Sequence, residues 1–581
     1  MKIPFQQYWD LLATHIRPQA RRFSMLTVLL LSSIGLQVIN PQIMRYFIDT
    51  ATSGGSGEAL SLAAFAFIGI ALVQQVVGVS AAYVGENVAW TATNALRAEL
   101  ARHCLQLDMT FHNDSSPGEL IERIDGDVAE LSNFFSQLVV RVLGNVLLIL
   151  GIVMALFVEE WRLGLAFLAF AATTLLLLNA VRGIAIPHQK KLRESIADFF
   201  GFLEERLAGT EDIRSNGAVD FVLLGMYKLA YVVFGHMYNA WRLNLVVRAV
   251  AGLMLTLGIS MAFAFGYYLL QGGVITLGTA YLIVYYTNLI RRPIREITQQ
   301  VESMQNIGAA TERLRELRAI ESKLEDGPGA EMPTGALGLE VERLHFGYEV
   351  EEPVLKGLTF ELKPGKALGL LGRTGSGKTT MARLVFRLYD PVSGSIRLGG
   401  TDLRTASLKQ LRERVAIVTQ DVQLFQASVR DNVTFFDRSK SDDRILAVIE
   451  DVGLREWYDA LPYGLDTKLE SGGRDLSAGQ GQLLALARVF LRDPGLVILD
   501  EASSRLDPAT EQLIERAVDK LLKGRTAVII AHRLGTVNRT DEIMILGEGK
   551  IVEHGERNAL ANDPGSRFAS LLKTGLEEVL V

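Results

Sequence analysis

The chain has 581 residues, which is too many for one ordinary hydrophobic core, so at least two domains are expected. Hydrophobic residues make up 49% of it, and its formal net charge of -6 gives no indication of nucleic-acid binding. Cys104 is the single cysteine in the sequence, which excludes an intrachain disulfide.

Residues 1–23 are expected to form a helix that lies in the plane of a membrane surface. Apolar residues such as Phe5, Trp9 and Ile16 alternate with polar ones, and the segment ends in basic residues. Amphipathic, cation-rich segments favour the boundary between lipid headgroups and acyl chains. An ordinary soluble helix would show the same alternation, but the apolar run that follows favours the interfacial interpretation.

The first half of the chain contains long runs without a charged side chain. A charge at mid-bilayer costs about 2.5–3.5 kcal/mol on insertion scales, so uncharged runs of about 20 residues indicate membrane spans. Gly272 and Gly273 divide the last and longest run into two helices joined by a tight turn, which predicts six spans between residues 24 and 298. The runs lie at residues 25–44, 59–85, 142–158, 163–181 and 249–290.

Loop composition predicts the orientation of these spans. The connections after the first, third and fifth spans are short and poor in Lys and Arg, whereas those after the second and fourth are long and basic. The positive-inside rule therefore places the N-terminus and both long segments in the cytoplasm. The long segments have a helical pattern, broken at residues 113–118 and 215–218, where each turn can dock on a cytoplasmic domain.

Beyond residue 291 the charge-free pattern ends, and a water-soluble domain is predicted. Residues 295–323 have the pattern of one polar helix, and residues 325–338 that of a loop rich in Gly and Pro. The predicted boundaries are therefore a linker helix and loop at residues 299–337 and a nucleotide-binding domain at residues 338–575.

The sequence GRTGSGKTT, at residues 372–380, follows the apolar run ALGLLG. Gly372, Gly377, Lys378 and Thr379 match the pattern G-x-x-x-x-G-K-[ST], in which backbone N–H groups surround a phosphate. The following helix N-terminus attracts the anion, Lys378 reaches the β- and γ-phosphates, and the Thr379 hydroxyl can bind Mg²⁺. The strand–loop–helix context favours an ATP site over a chance match.

A nucleotide hydrolase also needs an acidic partner for the metal and a group that orients water. The run LVILDEASSRLD predicts a buried strand followed by Asp500, for the Mg²⁺ shell, and by Glu501. Glu501 is placed to accept a proton from the attacking water or to polarise it. An acidic helix cap would have the same two residues, but the upstream phosphate loop favours the catalytic interpretation.

With these motifs the chain resembles an ATP-binding cassette (ABC) exporter half-transporter over nearly its whole length. The family signature, L-S-G-G-Q, corresponds to LSAGQ at residues 476–480, a helix start with free N–H groups facing an anion. In the family this segment acts on ATP held by the partner domain. The resemblance implies an α-helical six-span membrane domain with long cytoplasmic helical extensions, followed by an α/β phosphate-loop ATPase domain of ABC type.

The resemblance also implies roles for single residues of this chain. Tyr348 matches the aromatic side chain that stacks on adenine, and Gln420 matches the glutamine that touches Mg²⁺ and the membrane domain. Asp507 matches the aspartate that crosses the dimer interface, and His532 the histidine that contacts the γ-phosphate. Glu501 and His532 are the implied catalytic residues. The implied metal ligands are Thr379, Gln420 and Asp500. The implied nucleotide contacts are Tyr348, Gly372, Thr374, Gly375, Ser376, Gly377, Lys378, Thr379, Thr380, Gln420, Ser477, Gly479, Gln480 and Asp507.

Three departures from the family pattern lie where this chain meets a partner or its own helices. Ala478 replaces the middle glycine of the signature, and Gly481 stands where the family usually has Arg or Lys. The third departure is in the segment before the signature, TKLESGGRD, where only Thr467 matches the family pattern T-x-V-G-E-x-G in order. Because the residues for hydrolysis keep the pattern, a heterodimer with a second half-transporter is favoured, and a homodimer is the alternative.

The implied function is ATP-driven export of a drug, lipid, peptide or similar amphipathic solute by alternating access, with ATP and Mg²⁺ as cofactors. The expected location is a cell membrane, of a bacterium, with the N-terminus and the ATPase domain in the cytoplasm. The alternative is a membrane-anchored ATPase or ATP-gated channel subunit that moves no solute. The solute itself is not predicted. Polar residues in or near the spans line a cavity or bridge helices, and bridging is favoured for most: Gln74, Gln75, Asn145, Asn179, Asn244 and Asn288.

Overall fold

The computed structural model describes residues 13–14, 16–136, 142–349, 351–420, 422–474, 476–500, 508–531 and 537–574. Backbone contacts divide the chain into two compact units. Unit 1 takes its residues from 1–105 and 117–320, and unit 2 from 106–116 and 321–581. The chain therefore leaves unit 1 at residue 106, returns to it at residue 117, and leaves it again at residue 321.

The described residues before 321 form helices. A short 3-10 helix at Arg17–Gln19 precedes the first long helix, and a π-helical turn at Glu122–Asp127 precedes the fifth. The helices are α1 (Ala20–Thr52), α2 (Gly57–Gln106), α3 (Met109–Asp114), α4 (Pro117–Ile121), α5 (Val128–Ser136), α6 (Gly144–Glu159), α7 (Trp161–Ala208), α8 (Thr210–Ser215), α9 (Val219–Gln271) and α10 (Leu277–Ala319).

The long apolar helices lie where the charge-free runs predict spans. Helices α1, α2, α7 and α9 are long and apolar enough to cross a membrane, and α6 is apolar over its 16 described residues. In α2 only 6% of the most apolar window is buried inside the protein. Apolar side chains left exposed on this scale indicate a lipid-facing surface, because a water-soluble helix would bury that stripe.

The helices at the predicted fifth and sixth spans are joined by a tight turn as expected, but the second of them continues past the predicted end of the span at residue 298. Helix α9 ends at Gln271, and Gly273 adopts a φ of 67° in the turn that follows. Helix α10 then continues without a break from the apolar residues 277–290 to Ala319. The predicted sixth span and the polar helix predicted after it are therefore one helix, which also contains Pro293.

Only part of the predicted interfacial helix is described, since residues 1–12 and 15 lie outside the described residues. Ile16 is buried against Val88 and Ala89 of α2. The Arg22 guanidinium donates a hydrogen bond to Asn87 Oδ1 at 3.1 Å. At Ile16, then, the apolar side of this segment is covered by protein.

Unit 2 contains two β-sheets and the helices around them. Its strands are β1 (Leu339–Phe346), β2 (Leu355–Leu362), β3 (Ala367–Gly372), β4 (Ser393–Leu398), β5 (Thr401–Asp402), β6 (Val415–Val418), β7 (Leu496–Asp500), β8 (Thr526–Ile530), β9 (Glu542–Gly547) and β10 (Lys550–Glu556). An antiparallel sheet has the order β2-β1-β4-β5, and a larger sheet has the order β10-β9-β3-β8-β7-β6. In the larger sheet, β9, β3, β8, β7 and β6 run parallel to one another.

The helices of unit 2 beyond residue 320 surround these sheets. They are α11 (Lys378–Val385), α12 (Leu408–Arg414), α13 (Val429–Thr434), α14 (Asp442–Asp451), α15 (Arg455–Asp459), α16 (Ala478–Arg492), α17 (Pro508–Leu522), α18 (Arg557–Asn562) and α19 (Arg567–Thr574). One core, which includes Leu358, Leu370 and Leu496, involves both sheets. A second core includes Ile445 of α14 and Leu484 of α16. The parallel strands are thus buried on both faces, which explains their continuous apolar runs.

The Gly- and Pro-rich segment predicted as a linker loop is hydrogen-bonded to other residues of unit 2. Asp326 Oδ1 accepts a hydrogen bond from the Leu408 N–H at 2.7 Å, and the buried Arg387 guanidinium donates to the Glu325 carbonyl at 2.8 Å. A Cβ on Gly327 would stand 2.4 Å from the carbonyl oxygen of Ala406. Glycine at this position therefore permits a close backbone approach, rather than only flexibility.

Candidate active site

The phosphate loop joins β3 to α11. Its three glycines, Gly372, Gly375 and Gly377, have φ values of 147°, 80° and 103°, a region that glycine adopts without strain. A Cβ on Gly377 would stand 2.5 Å from Leu355 Cδ2, whereas one on Gly375 would meet nothing within 4 Å. Packing therefore requires Gly377, and the loop surface at Gly375 is open to an approaching group.

Lys378 holds its positive charge inside this loop. Its side chain is buried, and Nζ donates hydrogen bonds to the carbonyls of Gly372 at 2.7 Å and of Arg373 at 3.1 Å. Burial lowers the pKa of Lys378, and the charge of Asp500 opposes that effect. The ammonium group is thus poised at the first turn of α11, where the helix dipole also favours an anion.

The loop also presents a buried hydroxyl group. Ser376 is 5% exposed, and its Oγ has no hydrogen-bond partner among the described residues. Thr374, two residues earlier, is exposed. A buried hydroxyl without a partner is costly unless a ligand or water binds it. Together with Lys378, this arrangement fits the phosphate groups of ATP.

Parallel strand order brings the predicted metal ligands to the same edge of the sheet. Thr379 Oγ1 lies 3.4 Å from Asp500 Oδ2, at the end of β7. Gln420 is exposed and follows β6, the strand next to β7. No cluster of three His, Cys, Asp or Glu side chains suited to a metal occurs in the described part of the chain. A Mg²⁺ site built from one hydroxyl, one carboxylate and phosphate oxygens needs no such cluster.

Tyr348 lies beside the phosphate loop in a cluster of aromatic rings. Its hydroxyl is 3.2 Å from Thr380 Oγ1 and accepts a hydrogen bond from Arg383 Nη1 at 3.2 Å. Its ring meets those of Phe346 and Tyr389 edge to face, at 5.2 and 5.3 Å between centroids. The Tyr348 side chain remains 40% exposed, so its ring is accessible to a nucleotide base.

Sequence reasoning missed the contacts that fix α3 in unit 2. Asn113 Nδ2 donates a hydrogen bond to the Tyr389 hydroxyl at 2.8 Å. Asp108, which caps α3, accepts from the N–H groups of Thr110 at 2.8 Å and Lys323 at 2.5 Å. An aspartate before a helix indicates an N-cap, but nothing in the sequence indicates partners more than 200 residues away. Residues 113–116 of the first predicted turn thus belong to unit 2, as expected for docking, whereas the second predicted turn, at residues 215–218, lies in unit 1.

The signature segment forms the N-terminus of α16 as the sequence predicts. Ser477 Oγ accepts from the Gln480 N–H at 3.2 Å, and Gln480 Oε1 accepts from the Ser477 N–H at 3.0 Å, which is a capping box. Ser477 and Ala478 are exposed, and Gly479 is buried. The Ala478 methyl group therefore stands on the exposed surface of this helix start. A Cβ on Gly481 would meet only Leu424, at 3.9 Å.

Three of the predicted site residues lie outside the described residues: Glu501, Asp507 and His532. The described strand β7 ends at Asp500, directly before Glu501. Likewise, β8 ends at Ile530, two residues before His532. Their roles remain predictions from the motif.

The polar residues of the apolar helices include two that bridge helices. Asn145 Nδ2 donates to Glu296 Oε2 at 2.7 Å, which links α6 to α10. Gln189 Nε2 donates to Asn244 Oδ1 at 3.1 Å, which links α7 to α9. The bridging interpretation is confirmed for Asn145 and Asn244. Asn288 instead bonds the Val284 carbonyl of its own helix at 3.1 Å, and the side chain of Asn179 is outside the described part.

Two models of known families match this chain. The ABC transporter transmembrane region matches residues 23–294, and the ABC transporter model matches residues 355–504. The transporter YknV of Bacillus subtilis, an uncharacterized ABC transporter ATP-binding protein, is 29% identical over 98% of this chain and 94% of its own length. An ATP-dependent lipid A-core flippase of Alcanivorax borkumensis is 27% identical, over 91% of each chain.

A further relative and a solved structure are also ABC transporters. A multidrug resistance ABC transporter ATP-binding and permease protein of Lactococcus lactis is 27% identical over 91% of this chain and 88% of its own. The fold resembles that of a bacterial Atm1-family ABC exporter with ATP bound, with a TM-score of 0.78 and 22% identity over 96% of this chain and 98% of that one. The apolar helices and the phosphate-loop domain lie on one polypeptide, and each is matched by an ABC transporter model. The chain therefore belongs to the ABC transporter family, as an ATP-hydrolysing half-transporter of the exporter type.

Proposed function

We propose that the chain forms one half of a dimer that exports an amphipathic solute by alternating access, driven by ATP. The observation that carries the proposal is the arrangement of Lys378 and of the Thr379–Asp500 pair at the carboxyl edge of a parallel sheet, on a chain with long apolar helices. A bound nucleotide draws two ATPase domains together, and its hydrolysis releases them.

In the proposed site, Lys378 binds the β- and γ-phosphates, and the Ser376 hydroxyl donates to a phosphate oxygen. Thr379, Asp500 and Gln420 hold Mg²⁺, a hard cation that prefers oxygen ligands. When bound, Mg²⁺ neutralises charge on the phosphates as the leaving group departs.

The remaining roles follow the family pattern. Glu501 polarises the attacking water and His532 contacts the γ-phosphate, while Asp507 lies at the dimer interface. The residues proposed to contact nucleotide on this or the partner chain also include Tyr348, Gly372, Thr374, Gly375, Gly377, Thr380, Ser477, Gly479 and Gln480.

The partner is proposed to be a second, different half-transporter. ABC half-transporters work as dimers, and this chain keeps the residues for hydrolysis while Ala478 and Gly481 alter the signature that it lends to its partner. The exposed Ala478 methyl group supports a weaker composite site there, since phosphate must approach that backbone closely. A homodimer is the alternative, because one added methyl group is a small change.

The proposed solute class is supported by the printed names of relatives, which include a lipid A-core flippase and multidrug resistance transporters. The proposed topology places the N-terminus and the ATPase domain in the cytoplasm of a bacterium, with the predicted boundaries at residues 23, 298, 337 and 575. The basic residues of the long segments support it through the positive-inside rule.

Transport assays on inside-out vesicles test this proposal. Vesicles that contain the chain, alone or with a co-expressed half-transporter, should take up an amphipathic dye when ATP is added. Glu501→Gln should retain Mg-ATP binding but lower hydrolysis by a factor on the order of 100 or more, because the attacking water loses its base. Glu450→Gln, at an exposed position of α14, is the matched control.

Near wild-type turnover in Glu501→Gln would reject Glu501 as the catalytic residue. Substrate-independent ATPase activity with no uptake would favour a membrane-anchored ATPase or channel subunit instead. A purified chain that is a stable dimer with robust, solute-stimulated hydrolysis would contradict the heterodimer.

A further inference from the structure

A cavity of about 690 Å³ lies among α7, α9 and α10 in unit 1. That volume is within the usual range for ligand sites, about 300–1,000 Å³. Three arginines line it, Arg248 of α9 and Arg291 and Arg295 of α10, and no Asp or Glu is among its described lining residues. We call it the arginine cavity.

The three guanidinium groups have no ion-pair partner among the described residues of unit 1. All three side chains are exposed, and no carboxylate among the described residues forms an ion pair with them. By contrast, the neighbouring Arg292 donates to Glu296 Oε1 at 2.7 Å and does not line the cavity. Because the three side chains are exposed and line one cavity, their positive charges are open to an anionic ligand.

A buried hydroxyl also points to a ligand in this cavity. Thr174 of α7 lines the cavity, is 4% exposed, and its Oγ1 has no hydrogen-bond partner among the described residues. The hydroxyl of Thr287, which also lines the cavity, already donates to the Ile283 carbonyl at 2.7 Å. A group that fills the cavity would therefore gain a hydrogen bond from Thr174 that the protein does not use.

The lining is polar at one end and apolar at the other. At the polar end, Gln189 and Asn244 bond each other and lie near Arg248. At the apolar end lies Phe170, about 28 Å from Gln189 along the axis of α7, for a helical rise of about 1.5 Å per residue. Leu178 and Leu255 line the apolar part. A ligand with a charged head and an apolar body matches this gradient, and the head must be an anion.

We propose that the arginine cavity binds an anionic amphiphile, with its carboxylate, phosphate or sulfonate at Arg248, Arg291 and Arg295 and its apolar body beside Phe170 and Leu255. Planar guanidinium groups bind such oxyanions with paired hydrogen bonds. A cationic amphiphile would be repelled and a neutral one would leave the charges without a partner. The proposal rests on the proposed export function, because it names the class of the exported solute.

Binding to the assembled transporter in phosphatidylcholine nanodiscs tests the proposal, with occupancy measured by native mass spectrometry. Lysophosphatidylglycerol is compared with lysophosphatidylcholine of the same acyl chain and with the cationic dye rhodamine 6G. We expect the anionic lipid to bind at least about tenfold more tightly than either. Taurocholate, a water-soluble anion, separates the two sources: binding of both anions indicates a soluble solute, and binding of the lipid alone indicates a lipid.

Substitutions locate the binding to the cavity. Arg291→Gln combined with Arg295→Gln should weaken lysophosphatidylglycerol binding at least about tenfold, while lysophosphatidylcholine binding should not shift. The charge-retaining pair Arg291→Lys and Arg295→Lys should recover most of the affinity. Arg292→Gln, which removes a charge from the same helical turn, is the matched control and should bind like the wild type.

Equal binding of anionic and cationic probes, or no loss in the double Gln variant, would overturn the proposal. If that variant does not fold, the Lys pair and the probe comparison on the wild-type protein still decide it. Failure of the proposed function is a separate result: anion binding with no ATP-dependent uptake of any amphiphile would support the anion site and reject the proposed export of an amphipathic solute.

Discussion

The phosphate loop and the arginine cavity each present positive charge and one buried, unpartnered hydroxyl group, but the chain builds them in opposite ways. The loop takes its groups from nine consecutive residues, and Lys378 is held by main-chain carbonyls. The cavity takes its charges from two helices and its hydroxyl from a third, and its arginines have no counter-ion among the described residues. The local site binds a ligand common to a large family, whereas the dispersed site can differ between transporters by single substitutions.

The largest expected effect is at the local site. Lys378→Ala removes the charge that the loop holds for the β/γ-phosphates, and should lower ATP hydrolysis and transport by a factor on the order of 100 or more. ATP affinity measured by fluorescence titration should fall in parallel.

The matched control is Lys366→Ala, at the other end of β3, where Nζ pairs with exposed Asp541 at 2.9 Å. Unchanged ATP affinity in Lys378→Ala would contradict the phosphate-loop assignment.

A second prediction concerns α3, which lies within residues 106–116, the short segment that the first half of the chain contributes to unit 2. Burial raises the pKa of Asp108, but hydrogen bonds from Lys323 and Thr110 outweigh it and lower the pKa below its ordinary value. Asp108→Asn places a donor against the Lys323 N–H and should lower the free energy of unfolding by about 1–3 kcal/mol. Thermal or denaturant unfolding measures it, with Asp114→Asn, exposed in the same helix, as the control.

The same carboxylate gives a pH dependence with a definite sign. Because the pKa of Asp108 is lower in the folded protein, its contribution is present above the unfolded pKa of about 3.9 and is lost as the pH falls through the folded value. The stability difference between wild type and Asp108→Asn should therefore shrink below about pH 4. A difference that stays constant on acidification would show that the charge of the Asp108 carboxylate does not account for its contribution to stability.

The smallest expected effect is at the buried hydroxyl of the cavity. Thr174→Val keeps the side-chain shape and removes the unpartnered Oγ1, so it should weaken lysophosphatidylglycerol binding only about two- to fivefold. It should leave the protein at least as stable, since a buried polar group without a partner is removed. Thr256→Val, whose exposed hydroxyl bonds the Gly252 carbonyl at 3.1 Å, is the control. A loss of stability in Thr174→Val, with binding unchanged, would show that this hydroxyl serves the fold.

The sequence by itself determined the features whose physics is local. Charge-free runs marked the apolar helices, because a charge in lipid is costly whatever surrounds it. The glycines and Lys378 marked the phosphate loop, because its backbone geometry needs those residue types in that order. Ser477 marked the start of α16, since a serine side chain caps a helix within its first turn.

Only the tertiary structure decided what depends on distant partners. It showed that the Gly- and Pro-rich segment after α10 is bound to unit 2 through Arg387 and Leu408, although its composition is that of a linker. It paired Asp108 with Lys323 and brought Arg248, Arg291 and Thr174 to one cavity. Such contacts arise when helices far apart in sequence pack in a particular register, and no periodicity within a single segment specifies that register.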